Sequence, residues 1–181
     1  QREYLKCVED PTHFITKYCT IQHPKKGKVK FDLYPFQQRC VKEFTTNRYN
    51  VILKSRQLGL STLSAGYALW TMLFHADKNI LVIATGKDVA KNLVTKVRVM
   101  YDNLPQWLKT NTEEINKLSM RFANGSQIKA IASNESAGRS EALSLLILDE
   151  AAFIDKIDTI WTAAQQTLST GGGCIALSTP N

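Results

Sequence analysis

The alternation of wholly apolar runs with longer segments of helical spacing constrains this fold more than any other feature. Four runs are rich in aliphatic and β-branched residues and are typical of buried strands. They are "NVILK" (50–54), "NILVIAT" (79–85), "LSLLILDEA" (143–151) and "GGGCIALSTPN" (171–181). Between them, residues 60–74, 87–103 and 156–169 repeat their apolar residues with the helical period. Strands without a polar face, separated by helices, predict an α/β fold whose mainly parallel sheet has helices on both faces.

The remaining segments add a helix and a hairpin to this prediction. Residues 36–47 have helical spacing. The segment "LSMRFANGSQIKAIAS" (118–133) predicts a hairpin, because Asn124 and Gly125 are a strong turn signal between two alternating runs. Residues 1–33 hold only short apolar runs and the basic, turn-rich stretch "HPKKGKVK", so no regular element is assigned to them.

The composition favours one soluble domain with an anionic partner. A chain of 181 residues, 44% of them hydrophobic, is long enough for a single sizeable core. The net charge of +7 makes nucleic acid the first candidate partner, with a merely solvated basic surface as the alternative. No apolar run approaches the ~20 residues of a membrane helix, and the first residues do not resemble a signal peptide. We therefore expect no membrane association.

The four cysteines do not form the paired CxxC spacing of a zinc site. Four potential ligands nevertheless fall close together near the start of the chain, namely Cys7, His13, Cys19 and His23. A metal site there is one interpretation. The alternative is that these are ordinary core and surface residues of a protein in a reducing compartment.

Polar pairs follow three of the predicted strands. These pairs are Lys54-Ser55, Asp149-Glu150 and Ser178-Thr179. Parallel sheets bind ligands outside the carboxyl ends of their strands, so the three pairs are expected to meet at one edge.

The segment "KSRQLGLST" (54–62) has the build of a phosphate-binding loop without the usual lysine. The common pattern is GxxxxGK[ST], whereas this chain reads KxxxxGLS, with Leu60 at the lysine position. Backbone N–H groups and the helix N-terminus can still hold phosphates, and Ser61 can contact magnesium. Lys54 is predicted to supply the missing charge, and Arg56 to sense the γ-phosphate or pair with acids of a neighbouring strand. The predicted nucleotide-binding residues here are Lys54, Ser55, Arg56, Gln57, Leu58, Gly59, Leu60, Ser61 and Thr62.

The acidic pair at the end of "LLILDE" suits two separate tasks in nucleotide hydrolysis. Asp149 can hold hydrated Mg²⁺ together with Ser61, and Glu150 can orient and deprotonate the attacking water. An acidic pair after a wholly apolar strand, downstream of such a loop, indicates an ATP hydrolase that uses magnesium. A turn that binds nothing remains the alternative for the loop considered alone.

With these residues in hand, the sequence resembles the ATPase domain of the large terminase subunit of tailed bacteriophages, myovirus type. The resemblance is carried by "SRQLG", "FANGSQIKAIAS", "LDEAAFI" and "ALSTPN". It implies a RecA-like P-loop NTPase of the ASCE class, with an adenine-binding lead-in at 1–49 and a P-loop core at 50–181. It also implies that Phe36 and Gln37 read the adenine, and that Ser178 and Thr179 sense the γ-phosphate and couple its loss to movement. Arg139 would act on a neighbouring subunit's nucleotide or on DNA, unless it is an ordinary surface arginine.

The resemblance further implies ATP hydrolysis that drives double-stranded DNA into a viral procapsid. The expected partners are DNA, the portal protein, the small terminase subunit and further copies of the chain in a homo-oligomeric ring, a pentamer. The expected location is the host cell cytoplasm, with transient docking on the procapsid. Members of the family carry a nuclease domain, whereas this sequence ends just after the coupling motif and has no acidic cluster beyond Asp149-Glu150, so no cleavage is expected from it.

Leu60 departs from the family pattern, and two other readings stay open, of which Leu60 favours the second. One is a superfamily 2 helicase-like DNA translocase, which uses the same chemistry on a different track. The other is a DNA-binding domain that no longer hydrolyses ATP because its loop has decayed. The intact acidic pair favours hydrolysis over the second reading.

Overall fold

The structure, a computed structural model, describes residues 1–133 and 141–180. Its helices are α1 (Arg2–Glu9), α2 (Pro11–Tyr18), α3 (Pro35–Thr46), α4 (Leu60–Phe74), α5 (Lys87–Asp102) and α6 (Ile157–Thr167). Its strands are β1 (Thr20–His23), β2 (Gly27–Lys30), β3 (Tyr49–Leu53), β4 (Asn79–Ala84), β5 (Thr112–Ile115), β6 (Ser119–Phe122), β7 (Gln127–Ala132), β8 (Leu145–Asp149) and β9 (Gly173–Ser178).

Seven strands form the central sheet in the order β3-β9-β8-β4-β7-β6-β5. The five strands from β3 to β7 run parallel, and β6 and β5 continue antiparallel from β7. The predicted hairpin is therefore present as β6 and β7. The order also places β9 between β3 and β8, so the three strands that precede the polar pairs are direct neighbours.

One face of the sheet is covered by α3, α4 and α5, and α2 packs on α3 and α4. Helix α4 is apolar on nearly all sides, as expected for a helix surrounded by protein, and Leu63 and Leu69 are completely buried. Its neighbour α5 contributes Leu93 and Val97 to the same core. Strands β4, β8 and β9 meet this face through alternate residues, such as Ile147 on β8.

The opposite face is covered by α6, which packs Ile160 and Ala164 against Leu146 and Leu148 of β8. Helices on both faces of a mainly parallel sheet confirm the predicted α/β fold class. The predicted segments at 36–47, 60–74, 87–103 and 156–169 are all helical in the structure, with boundaries shifted by up to two residues.

The prediction that residues 50–54 form a fully buried strand is wrong. β3 lies at the edge of the sheet, and Tyr49, Val51 and Leu53 point to the face that carries α6. The exposed fractions of Val51 and Leu53 are 86% and 73%, whereas the ring of Tyr49 contacts Trp161 of α6. Residue type indicates a strand at this position, but only the strand order shows that one face is open.

Residues 1–33 contain regular structure that the sequence patterns did not predict. Helices α1 and α2 have eight residues each, and β1 and β2 form a separate antiparallel pair. Asp10 caps α2 by accepting a hydrogen bond from the Thr12 N–H (2.8 Å), and Pro11 follows at the first helical position. The Trp70 indole of α4 donates to the Cys7 carbonyl of α1 (2.8 Å), which ties this segment to the core. Helices this short depend on such tertiary contacts.

The possible metal ligands near the N-terminus are not brought together as a set. His23 Nδ1 accepts from the backbone of the turn that follows β1, and Cys19 is fully buried in the core. Cys7 and His13 do lie within 4.8 Å of each other and of Glu3. One carboxylate oxygen of Glu3 is already contacted by Lys17, His13 and Tyr18, each at 2.8 Å, and these hydrogen bonds, led by that of Lys17, lower the Glu3 pKa to about 2.

No helix in the described ranges has both the length and the apolar character that crossing a membrane requires.

Candidate nucleotide-binding site

The loop 54–59 joins the end of β3 to the start of α4 and is shaped by two residues of positive φ. Gln57 has φ 60° and Gly59 has φ 68°. The turn opens the N-terminus of α4, whose first-turn N–H groups and positive dipole end are then free for an anion. The loop thus leads directly into a helix N-terminus, and its binding of phosphate stays a prediction.

Gln37 braces this loop from the lead-in. Its amide oxygen accepts from the Tyr34 N–H (3.0 Å), and its amide nitrogen donates to the Leu58 carbonyl (2.9 Å). A Cβ on Gly59 would lie 2.9 Å from that same amide nitrogen, so it would displace the hydrogen-bonded glutamine in addition to straining a positive φ. Phe36 stacks on the exposed ring of Tyr34, with centroids 5.8 Å apart. The adenine-reading role of Phe36 and Gln37 stays a prediction.

Leu60 points into the core rather than toward the loop. Only 3% of the residue is exposed, and it belongs to the cluster between the sheet and its helices. Burial of a leucine side chain is worth about 1.5–3 kcal/mol. The residue at the usual lysine position thus stabilises the start of α4 and offers no charge to a phosphate.

Lys54 instead lies at the rim of the sheet, and it is held by Glu150. Its Nζ is 2.7 Å from Glu150 Oε1, and only 8% of the lysine side chain is exposed. Its backbone N–H donates to the Ser178 carbonyl (2.9 Å), which continues the pairing of β3 with β9. The ion pair joins residues 96 positions apart in the sequence.

Glu150 occupies a strained turn that aims its carboxylate along the rim. Its φ is 54°, a left-handed conformation that costs a non-glycine residue about 1–2 kcal/mol. Its second oxygen accepts from both the N–H (3.3 Å) and the hydroxyl (3.1 Å) of Thr179. Burial alone would raise the pKa of Glu150, but the contacts with Lys54 and Thr179 outweigh it and hold the pKa below its ordinary value.

Asp149 faces α4 and is bonded to Ser61. The Ser61 hydroxyl donates to Asp149 Oδ1 (2.9 Å), so the two predicted magnesium-binding residues are in direct contact. Burial raises the pKa of Asp149 above its ordinary value, and the Ser61 hydrogen bond and the charge of Lys54 oppose this only in part. Two adjacent oxygen ligands, one a nearly buried carboxylate, are chemically suited to a hard divalent cation.

Ser178 and Thr179 complete the edge. The Ser178 hydroxyl accepts from the Ala152 N–H (3.0 Å) and donates to the Thr179 carbonyl (2.8 Å). The end of β9 is thereby tied to the turn after β8. The expected convergence of the three polar pairs is confirmed as geometry, since Glu150 contacts both Lys54 and Thr179 and Asp149 directly precedes it.

Of the predicted site residues that the structure describes, Ser55, Arg56 and Thr62 take no part in these hydrogen bonds. Arg56 is exposed, and within residues 1–133 and 141–180 it forms no ion pair with an acid, so Lys54 takes the acidic partner considered for it. Arg139 lies outside the described residues. Ser55 is exposed on the loop, and Thr62 is half-buried in the first turn of α4.

Residues 51–181 match the family described as "Terminase large subunit, T4likevirus-type, N-terminal". The chain belongs to this family. The match covers more than half of the chain and includes the loop, the acidic pair and the residues after β9. It confirms the resemblance that the motifs indicated.

Solved structures of large terminases share the fold. The ATPase domain of the Thermus phage P74-26 large terminase superposes with a TM-score of 0.67 at 22% identity, over 83% of this chain and 66% of that domain. The large terminase of bacteriophage HK97 gives 0.74 at 19% identity, over 95% of this chain and 37% of that one. The terminase chain thus spans less than two thirds of either relative. The UvsW helicase of bacteriophage T4 gives 0.61 at 14% identity.

Sequence reasoning missed one charged residue of this terminase site. Lys96 on α5 is half-buried and interacts electrostatically with Asp149 and Lys54. Its only sequence signal is a lysine beside the apolar positions of an amphipathic helix, where surface lysines are also common. The three-dimensional approach of α5 to the first turn of α4 is needed to recognise it.

Proposed function

We propose that this chain is the ATP-hydrolysing part of a motor that drives double-stranded DNA into a viral procapsid. The observation that carries the proposal is the meeting of two hydrogen-bonded groups at the carboxyl edge of β3, β9 and β8. One is Ser61 with Asp149, and the other joins Glu150 to Lys54 and Thr179. Membership of the terminase family supports it. A further relative, the large terminase of a thermophilic bacteriophage, has been solved in complex with ADP and superposes with a TM-score of 0.55 at 13% identity.

The phosphates of ATP would lie over the loop 54–62, against the N–H groups at the start of α4. Lys54 would contact the β- and γ-phosphates, because its ammonium already lies at the rim and the flexible stem can turn from Glu150 toward the loop. Arg56, exposed on the same loop, would approach the γ-phosphate. The lead-in at 1–49 would hold the base through Phe36 and Gln37, and residues 50–181 would form the catalytic core.

Mg²⁺ would be held by Ser61 and Asp149, whose oxygens are in contact. When bound, the ion supplies neutralisation of the negative charge that spreads over the phosphate oxygens during transfer. The burial that raises the pKa of Asp149 also makes a nearby cation favourable, since it offsets the cost of a carboxylate removed from water.

Glu150 would orient and deprotonate the attacking water. While Lys54 is paired with it, the low pKa of Glu150 makes it a weak base. Movement of Lys54 to the phosphates removes the largest stabilisation of the charged form and frees one carboxylate oxygen for water. Binding of ATP and activation of the base would therefore be linked through one side chain.

Ser178 and Thr179 would transmit the state of the nucleotide to the rest of the motor. Thr179 contacts Glu150, and Ser178 is hydrogen-bonded to the turn after β8, so a shift of the glutamate would move the end of β9.

Arg139 would act across the subunit boundary of a homo-oligomeric ring, a pentamer, or on DNA. The net charge of +7 suits double-stranded DNA, and the portal protein and small terminase subunit would be the other partners. Assembly would take place in the host cell cytoplasm, with the ring docked transiently on the procapsid.

Phosphate release and equilibrium ATP binding, each with and without duplex DNA, test the proposal. Lys54→Met should abolish hydrolysis and weaken binding, whereas Glu150→Gln should stop turnover with binding retained. Lys42→Met, an exposed lysine of α3 distant from the two hydrogen-bonded groups, is the matched control and should behave like the parent. Binding without turnover in the parent, even with DNA, would favour the non-hydrolysing reading. DNA affinity that is insensitive to salt would argue against the basic surface as the track.

A helicase-like translocase is the second candidate, favoured by the likeness to the UvsW helicase over 94% of this chain. It predicts ATP-dependent separation of a labelled strand from a duplex. A packaging motor predicts displacement of a bound roadblock along intact duplex DNA without strand separation. The two assays run on the same preparation distinguish the candidates.

A further inference from the structure

Lys96 lies in the middle of α5 and faces a cavity beside the first turn of α4. The cavity has a volume of about 230 Å³. Its lining includes Thr62 of α4, Thr95 and Lys96 of α5, and residues 20–22 of β1. Thr62 directly follows Ser61, so the cavity adjoins the residues proposed to hold magnesium and phosphate. The Lys96 side chain lines this open cavity, so it has space on the side that faces the first turn of α4.

The charge of Lys96 has no direct partner in the described part of the chain. Burial lowers the pKa of Lys96, the charge of Asp149 opposes this, and the charge of Lys54 adds to it. No hydrogen bond or ion pair between Lys96 and residues 1–133 or 141–180 compensates its removal from water. A half-buried cation without a partner is costly, and such groups are found where a ligand completes them.

The two lysines near the acidic pair are therefore in different states. Lys54 is neutralised by Glu150 at 2.7 Å. Lys96 repels Lys54 and is attracted by Asp149, whose own carboxylate is bonded to Ser61. The lysine position of the loop is filled by Leu60, which is buried in the core. A polyphosphate at the start of α4 would thus meet Lys54, which is already engaged, and two cations without an ion-pair partner among the described residues, Lys96 and the exposed Arg56.

We propose that Lys96 is a polyphosphate-binding residue, which reaches across the cavity from α5 and supplies the positive charge that Leu60 cannot. This inference rests on the proposed function, since it assigns a further residue to the same nucleotide site. The ligand class is a nucleoside triphosphate or diphosphate. Lys96 contacts phosphate oxygens, Lys54 exchanges between Glu150 and the γ-phosphate, and the two charges approach from different elements of the fold.

Equilibrium titration with ATP and ADP, in Mg²⁺ and in EDTA, tests the role of Lys96. Lys96→Met should weaken ATP binding by about 10- to 100-fold, the range for one charge-assisted contact, and the loss should persist in EDTA. Lys96→Arg should recover most of the affinity. Lys91→Met, on the same helix one and a half turns earlier, should bind ATP like the parent. The thermal midpoint of Lys96→Met without nucleotide should equal or exceed that of the parent, because an uncompensated charge is removed.

Three results would overturn the assignment. One is parent-like ATP affinity in Lys96→Met. Another is a loss seen only in Mg²⁺ and absent in EDTA, because Lys96 would then act by positioning Asp149 for the metal and not by contacting phosphate. The third is a parent chain that binds neither nucleotide, which would also remove the proposed function. A parent that binds ATP beside an unaffected Lys96→Met removes the inference alone.

Discussion

Under the proposed function, the ion pair between Lys54 and Glu150 would add a measurable energetic cost to ATP binding. If Lys54 must leave Glu150 to reach the phosphates, binding has to break this pair. Surface ion pairs contribute about 0.2–1 kcal/mol, and breaking a fully buried pair costs about 3–5 kcal/mol. With side-chain exposures of 8% and 30% and an N–O distance of 2.7 Å, this pair lies between those limits. We take its coupling as about 1–2 kcal/mol, by interpolation between the two classes.

A double-mutant cycle on ATP affinity measures this coupling directly. Glu150→Gln should tighten ATP binding by about 5- to 30-fold, the equivalent of 1–2 kcal/mol, because Lys54 is then free at the start. Removal of a negative charge near the phosphates could also raise affinity without any ion pair. The same substitution is therefore repeated in the Lys54→Met background, where the tightening due to Lys54 should vanish.

The cycle is read by titration calorimetry with a non-hydrolysable ATP analogue and Mg²⁺. Urea unfolding of the four proteins without nucleotide provides an independent value of the coupling, which should agree within the 1–2 kcal/mol estimate. Equal effects of Glu150→Gln in both backgrounds would refute the exchange of Lys54 between glutamate and phosphate. It would mean that the ion pair survives in the bound state.

Three further predictions concern the loop and the lead-in. Leu60→Lys should lower the free energy of unfolding in urea by about 2–4 kcal/mol without tightening ATP binding, because the side chain points into the core. Leu60→Met should cost less than about 1.5 kcal/mol. Tighter ATP binding of Leu60→Lys at unchanged stability would instead indicate a decayed conventional loop. Gly59→Ala should lower the free energy of unfolding more than Gly27→Ala in the same assay. Both glycines have a positive φ (68° and 69°), but only at Gly59 would the added Cβ also lie 2.9 Å from the amide of the buried Gln37. Equal losses of stability would leave backbone strain as the sole cause. The Glu3 pKa is lowered to about 2, chiefly by Lys17, so ionised Glu3 stabilises the fold fully above its unfolded-state pKa near 4.5, and this stabilisation is lost as the pH falls toward 2. Between pH 6 and pH 2 the free energy of unfolding of Glu3→Gln should therefore fall less steeply than that of the parent. Parallel pH profiles would contradict the hydrogen bonds of Glu3 with Lys17, His13 and Tyr18.

Several structural features could not be read from local patterns, and the reasons differ. β5 has the sequence Thr-Glu-Glu-Ile, whose polar residues suit a strand at the far edge of the sheet but give no alternating signal. α1 and α2 are too short to show a clear helical period, and their packing against the rest of the fold supports them. The residue types of β3 predict a buried strand, because aliphatic residues lie on both of its faces. Its exposure follows from the strand order, which depends on pairings distant in sequence.

The sequence by itself determined the alternation of strands and helices, the position of the loop and the acidic pair at strand ends, and the family. These follow from residue type and short-range periodicity, which act within a few residues. Only the tertiary structure decided that Leu60 faces the core, that Lys54 is paired with Glu150, and that Lys96 approaches Asp149 from a helix outside every motif. Each of these depends on which strands are neighbours and how helices cross them. The energy of a charge depends on its distance from other charges and from water, and those distances exist only after the chain has folded.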